Sequence, residues 1–259
     1  TNFNPVNARP LVIVGSGATG SKALMDLAKS GYPLNMIHVY DPKMVQSHNI
    51  ANQAFFQGQA LYIDNEPVNP KVEAINDLTM QAIGSETGMH IYARLATTED
   101  MQLHALSNPI VCVLTDTMDS RVEMYKGLIG NNTVVLETAV GRSVIKVQQI
   151  QELNDPMKAY NYIASLPPDD EVPVSECGTV VGIGVNSTLV GAFLVSWILN
   201  ICEGREIPLK MEFDLFNFAC YTTPDPAYVE MEEQVDITDE EIFEDDHWEE
   251  QYMIEDIDD

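Results

Sequence analysis

The sequence predicts an α/β fold: a mostly parallel sheet with helices on both faces and an antiparallel extension of the sheet towards the C-terminus. Three observations carry that expectation. Short apolar runs of strand length alternate with longer stretches whose apolar residues recur at helical spacing. A loop containing Gly15, Gly17 and Gly20, in the pattern Gly-x-Gly-x-x-Gly, follows the first run and opens the first helical stretch. The chain has 259 residues, enough to bury a substantial core, and the regular alternation favours one main domain.

Each element has its own signal. Leu-Val-Ile-Val at 11–14 reads as a buried strand. Residues 21–30 form a helix with Leu24, Met25 and Leu27 on its apolar side, stopped by Gly31 and Pro33. Residues 36–40 form the second strand, which closes on Asp41. A helix over 70–83, a strand over 90–94 and a helix over 100–106 follow. The strand over 110–114 ends at Thr115-Asp116, where a polar residue at the carboxyl end of a parallel strand faces the ligand crevice. Residues 120–129 are helical, 133–137 extended and 143–150 a strand. Pro156, Pro167, Pro168 and Pro173 mark 151–176 as a long irregular excursion. Residues 182–200 read as a buried helix and 209–218 as strands.

The glycine loop makes the fold Rossmann-like. Such a loop suits a tight turn, close approach of backbone to phosphate, and an anion at the helix N-terminus. Asp41 lies about twenty residues beyond Gly20, where a carboxylate accepts hydrogen bonds from ribose hydroxyls. Up to this point a dinucleotide and an ATP fit equally well.

Charge and cysteine usage narrow the function class. The formal net charge of −27 repels nucleic acid and anionic membranes. Residues 230–259 hold 16 of the 40 acidic residues and none of the 13 basic ones, leaving the body at about −11. The division is therefore a nucleotide-binding domain over 1–229 and an acidic tail over 230–259. In the tail, acids alternate with Ile237, Ile242, Phe243, Trp248, Tyr252, Ile254 and Ile257, a pattern that suits either a disordered solubilising tail or docking on a basic groove. Cys112, Cys177, Cys202 and Cys220 form no CxxC pair, so neither zinc nor a disulfide framework is expected. The apolar stretch around 185–201 is interrupted by Asn186, Ser187, Thr188 and Ser196, and no signal-peptide pattern opens the sequence. A cytoplasmic location with no membrane span is the expectation.

The segment after the second strand separates the two nucleotide readings. Asp41, Val45 and His48-Asn49-Ile50-Ala51-Asn52-Gln53, followed by Phe55 and Phe56, resemble the block of the ThiF/MoeB family, the fold of ubiquitin-activating enzymes. Val68-Asn69-Pro70-Lys71 resembles that family's helix start, and Thr115-Asp116 with Arg121 its strand-end motif. Cys177, ahead of a glycine-rich stretch with Gly182 and Gly184, resembles its crossover-loop cysteine. The resemblance spans residues 10–218.

It implies an adenylyltransferase that uses ATP and Mg²⁺ on a C-terminal carboxylate, that of a small ubiquitin-like or sulfur-carrier protein or peptide, and a homodimer. Gly15, Gly17, Gly20, Asp41, Asn49, Gln53 and Lys71 would then bind the nucleotide, and Asp116 the metal. Lys71, Asp116 and Cys177 would carry the chemistry, Cys177 as acyl acceptor. Physical chemistry gives Lys71 a point charge for a triphosphate, Asp116 a ligand for a hard cation, and Asn49 and Gln53 amide donors and acceptors. Arg121 reads as an ion-pair partner.

The sequence departs from the family pattern at Asn52, where the family carries a phosphate-contacting arginine. Asn offers a neutral donor in place of a permanent charge with a forked donor set. A nucleotide-binding scaffold without catalysis is therefore the alternative. A dehydrogenase is third; it accounts for the stretch from Gly15 to Asp41 and leaves Lys71, Asp116 and Cys177 unused.

Overall fold

A computed structural model describes residues 3–55, 57–141, 144–168 and 184–224, all within the compact unit Thr1–Asp225. Strand β1 is Leu11–Val14, followed by helix α1, Ala18–Lys29, and β2, Ile37–Tyr40. A 3₁₀ turn at Ser47–Ala51 and the small hairpin β3, Tyr62–Ile63, and β4, Glu66–Pro67, lead to α2, Lys71–Ile83. Then come β5, His90–Tyr92; α3, Thr98–Ala105; β6, Ile110–Val113; α4, Met118–Leu128; β7, Val134–Val140; and β8, Val144–Gln149. Helix α5, Pro156–Ala164, helix α6, Gly184–Cys202, and strands β9, Lys210–Asp214, and β10, Ala219–Thr223, complete the described elements.

The sheet has eight strands in the order β10-β9-β8-β7-β6-β1-β2-β5. Strands β5, β2, β1, β6 and β7 run parallel, and β8, β9 and β10 extend the sheet antiparallel, as expected. Period-two alternation places the strand side chains in two cores. Leu11, Ile13, Ile110 and Cys112 pack with Leu24, Leu27, Ile75, Leu194 and Ile198 on the face of α1, α2 and α6. Val12, Val14, Val111 and Val113 pack with Met101, Met124, Leu128 and Leu153 on the opposite face. Burial on both faces is why β1 and β6 read as unbroken apolar runs.

Three expectations need correction. Residues 151–176 are not an unbroken irregular excursion: the 3₁₀ turn Gln151–Asn154 and α5 occupy its first part. Asp155 caps α5 by accepting from the N–H groups of Met157 and Lys158, and Pro156 sits at N1, so the proline that suggested a loop starts a helix. Residues 169–183 lie outside the described residues. The expected strands over 209–218 stop at Asp214, whose Oδ1 accepts from Phe216 N and Asn217 N and turns the chain; Phe218, at φ 52°, precedes β10. The β3–β4 hairpin was not foreseen. Asp64 and Asn65, at φ 50° and 67°, form the left-handed pair that a two-residue hairpin turn requires.

Helix α6 is apolar enough over Val185–Cys202 to cross a membrane by length and composition alone, with a mean hydropathy of 1.6. In the fold it packs on α1 and the sheet, burying Val190, Leu194, Val195, Trp197 and Ile198.

Candidate functional site

The three motif glycines do different jobs at the carboxyl end of β1. Gly15, at φ +104°, donates its N–H to Tyr40 O at 2.8 Å, and a Cβ on it would lie 2.8 Å from Leu114 O. A Cβ on Gly20 would lie 2.0 Å from Gly15 O, so this glycine lets α1 start directly against the turn. Gly17 meets nothing within 4 Å. It is the N-cap of α1 and makes no side-chain capping bond, which leaves the first turn's N–H groups open to an anion from the space beside Gly17. Helix α1 begins at Ala18, three residues earlier than its apolar pattern indicates, and so its N-terminus lies inside the glycine motif.

Asp41 fixes this loop. Its Oδ2 accepts from Ser16 N at 2.8 Å and Ser16 Oγ at 3.0 Å, and its Oδ1 from Lys43 N at 2.8 Å. The expected ribose acceptor is thus buried and already serves as the clamp between the glycine loop and the segment after β2. One acceptor position remains, on Oδ1, because a carboxylate offers about four lone-pair positions and three are taken.

Lys71 is the first residue of α2, and its N–H donates to Lys43 O at 3.0 Å. It is 4% exposed. Its ammonium has neither an ion-pair nor a hydrogen-bond partner among the described residues. Burial pushes its pKa below the ordinary lysine value; the charges of Asp41 and Asp116 oppose that shift and Lys43 adds to it. A buried cation at the positive end of a helix dipole is unfavourable for folding. A bound anion would relieve it.

Asp116 follows β6. Its Oδ2 accepts from Lys43 Nζ at 2.6 Å, with the two side chains 57% and 56% exposed. A pair so exposed contributes about 0–1 kcal/mol and is easily opened. Burial raises the Asp116 pKa, but the hydrogen bond and charge of Lys43 outweigh it and hold the carboxyl below its usual range. Asp116 does not cap α4: Thr117 does, its Oγ1 accepting from Ser120 N.

Behind Asp116 stands Arg121, whose Nε and Nη2 donate to Thr115 O at 3.3 and 3.1 Å and whose Nη1 pairs with Glu137 at 3.3 Å. Tyr125 and Gln148 also donate to Glu137. Arg121 is the ion-pair partner that the sequence indicates, and it anchors the backbone that presents Asp116.

In the segment over 46–53, Asn49 is buried and its Oδ1 accepts from Gln46 N at 2.9 Å, so its amide oxygen shapes the 3₁₀ turn. Asn52 Oδ1 and Gln53 Oε1 are buried without partners among the described residues. Such groups cost about 1–3 kcal/mol each when left unpaired. Ala54 N donates to Ser21 Oγ at 3.0 Å, tying this segment to α1. Cys177 lies outside the described residues.

Two of these features fit a nucleotide phosphate chain: an uncapped helix N-terminus and a buried lysine with no partner among the described residues. For the metal, Asp116 is one suitable ligand. Among the described residues no three His, Cys, Asp or Glu side chains form a metal-binding group. A single carboxylate suits Mg²⁺, which takes its remaining ligands from phosphates and water. A cleft of about 370 Å³ beside Tyr32, Leu34 and Ile83 shares no residue with this site.

The sequence profile of the ThiF family matches residues 6–233. The chain belongs to the ThiF family. Among solved structures it is similar to PaaA, with a TM-score of 0.58 and 17% identity over 85% of this chain and 65% of that one. It is also similar to E. coli MccB, solved with succinimide at a TM-score of 0.59 and 14% identity. MccB solved with ATP aligns at a TM-score of 0.57 and 16% identity; both MccB alignments cover 85% of this chain and 65% of MccB. At these identities the likeness is one of fold, and the chain spans just under two thirds of those structures' length. Among curated proteins no sequence matches.

Within the ThiF family frame, the structure brings Gly17, Asp41, Lys71 and Asp116 to one end of the sheet. Lys43, two residues after the strand-end Asp41, joins this group through its bond to Asp116, which the sequence does not announce.

Proposed function

We propose that this ThiF-family chain binds ATP with Mg²⁺ and adenylates a C-terminal carboxylate, that of a peptide or of a small ubiquitin-like or sulfur-carrier protein. The observation that carries the proposal is Lys71, a buried cation without a partner among the described residues, set at a helix start beside Asp116 and Asp41. A dinucleotide needs no such charge deep in the site, whereas a triphosphate does. MccB, similar in fold, has been solved with ATP and with N-formylated MccA, which supports both the nucleotide and the kind of substrate.

In this reading the N–H groups of the first turn of α1 and the ammonium of Lys71 hold the phosphates. Arg121, through Thr115 O, keeps Asp116 facing them. Asp116 would hold a magnesium ion together with the phosphates, and the ion would supply charge neutralisation at the leaving group. The substrate carboxylate oxygen forms a bond to the α-phosphorus, the bond from that phosphorus to the bridging oxygen breaks, and pyrophosphate leaves with the electron pair. The protein's contribution is positioning and electrostatic stabilisation. Cys177 is proposed to attack the resulting mixed anhydride as thiolate, forming a thioester and releasing AMP. The chain is further proposed to form a homodimer through the exposed flank of α6, where Val185, Thr188, Ala192 and Ser196 lie.

Asn52 favours a second reading, a nucleotide-binding scaffold without catalysis, because the family's arginine charge is missing there. Exchange of labelled pyrophosphate into ATP separates the two. Adenylation gives exchange that depends on an added carboxylate substrate, and the scaffold gives ATP binding without exchange.

A further inference from the structure

We propose that Lys43 is a phosphate-binding catalytic residue that supplies the positive charge Asn52 does not. The inference rests on the ATP reading above and names a residue that the reading does not require. Lys43 is rooted in the site by both of its backbone groups: its N–H donates to Asp41 Oδ1 at 2.8 Å and its carbonyl accepts from Lys71 N at 3.0 Å. Its side chain reaches across to Asp116 Oδ2 at 2.6 Å, so its ammonium already sits where the metal-binding carboxylate is. The cations whose charge Asp116 senses are Lys43 and Lys71.

The two lysines are unlike. Lys71 is buried and held at a helix start, whereas Lys43 is half-exposed on a flexible stem and bound by one surface ion pair. A nucleoside triphosphate with its metal competes for Asp116 and presents anionic oxygens to the freed ammonium. Lys43 then exchanges a carboxylate for a phosphate oxygen without leaving the site, a short movement of a side chain with four rotatable bonds. Until then, the pair holds the Asp116 carboxylate in place. Other cations nearby are committed elsewhere: Arg121 to Thr115 and Glu137, and Arg94 to Asp100. The charge of the phosphate site is therefore redistributed in this chain, with a lysine on the loop after β2 standing in for an arginine at position 52.

The test is calorimetric titration of the full chain with ATP, ADP and AMP in the presence of Mg²⁺. Variants are Lys43→Met, Lys43→Arg, Asn52→Arg, the Lys43→Met/Asn52→Arg double, and Lys71→Ala as the control for the ATP site itself. The expected result for Lys43→Met is about a tenfold loss in ATP affinity against a loss below about threefold for AMP. Lys43→Arg retains most of the affinity. Asn52→Arg restores ATP binding in the Lys43→Met background and adds much less in the unaltered protein, since one cation then already serves. Unchanged ATP affinity in Lys43→Met, alongside a loss in Lys71→Ala, overturns this inference and leaves the ATP reading standing. Equal losses for ATP and AMP overturn it as well, because a phosphate contact discriminates between them. An unaltered protein that binds no ATP removes both.

Discussion

The backbone N–H of Lys71 donates to the carbonyl of Lys43 at 3.0 Å, and through this bond the start of α2 and the loop after β2 present two lysines to one site. Like charges placed together raise the free energy of the folded protein in the absence of an anion. Such an arrangement persists where ligand binding requires it.

Replacing Lys71 with Met should therefore stabilise the protein while weakening its function. Removing a buried charge from the positive end of a helix is expected to raise stability by about 1 kcal/mol. ATP affinity should fall about 10- to 100-fold, with adenosine binding little changed, because a charge-assisted contact is lost only from the phosphates. Thermal melting and calorimetry on the same variant check both halves.

Gly17 and Gly20 should separate function from fold. Gly20→Ala forces a Cβ to 2.0 Å from Gly15 O and should cost about 3 kcal/mol or more, seen as a drop in Tm. Gly17→Ala points a methyl into open space, so Tm should stay close to that of the unaltered protein while ATP binding weakens by steric obstruction of the phosphate approach. A Gly17→Ala protein with full ATP affinity would place the phosphates elsewhere.

The aromatic and histidine cluster on β2, β5 and α3 predicts a pH dependence of stability. His38 stacks on His90 at 4.5 Å and meets His104 edge-on at 4.5 Å; its Nδ1 lies 3.2 Å from Tyr92 Oη. Burial first, then the charges of His104 and His90, push its pKa down from 6.5 to about 4. The folded protein thus binds fewer protons than the unfolded chain between those two values. Stability from this group is present above pH 6.5 and is lost as pH falls towards 4. Melting curves across that range should show the fall, and His38→Gln should flatten it.

Cys177→Ala should leave pyrophosphate exchange intact while abolishing any covalent substrate adduct, because in the proposed function the thiol acts after the adenylate forms. Intact-mass analysis after incubation with ATP and a carboxylate substrate reads the adduct directly. Loss of exchange in that variant would assign Cys177 to the first step.

Much of the parallel core was legible because β1 and β6 are buried on both faces and appear as plain apolar runs. Motif order named Lys71 and Asp116, and the fold brings them close enough for the Asp116 charge to act on Lys71. Local chemistry hid the rest. Pro156 looks like a loop breaker until Asp155 is seen to cap a helix starting on it. The turn at 215–218 carries Leu215, Phe216 and Phe218, and its apolar composition concealed the Asp214 turn. The turn that the Asn49 amide oxygen closes on Gln46 is a local bond that the motif does not announce. Lys43 could not be placed without the fold, because its partner Asp116 is 73 residues away in sequence.

The most direct measurement of the central claim is calorimetry of the unaltered protein with Mg²⁺ and either ATP or NAD. The account predicts saturable ATP binding that weakens strongly in Lys71→Ala, with NAD bound far more weakly. Tight NAD binding with no heat from ATP would contradict it.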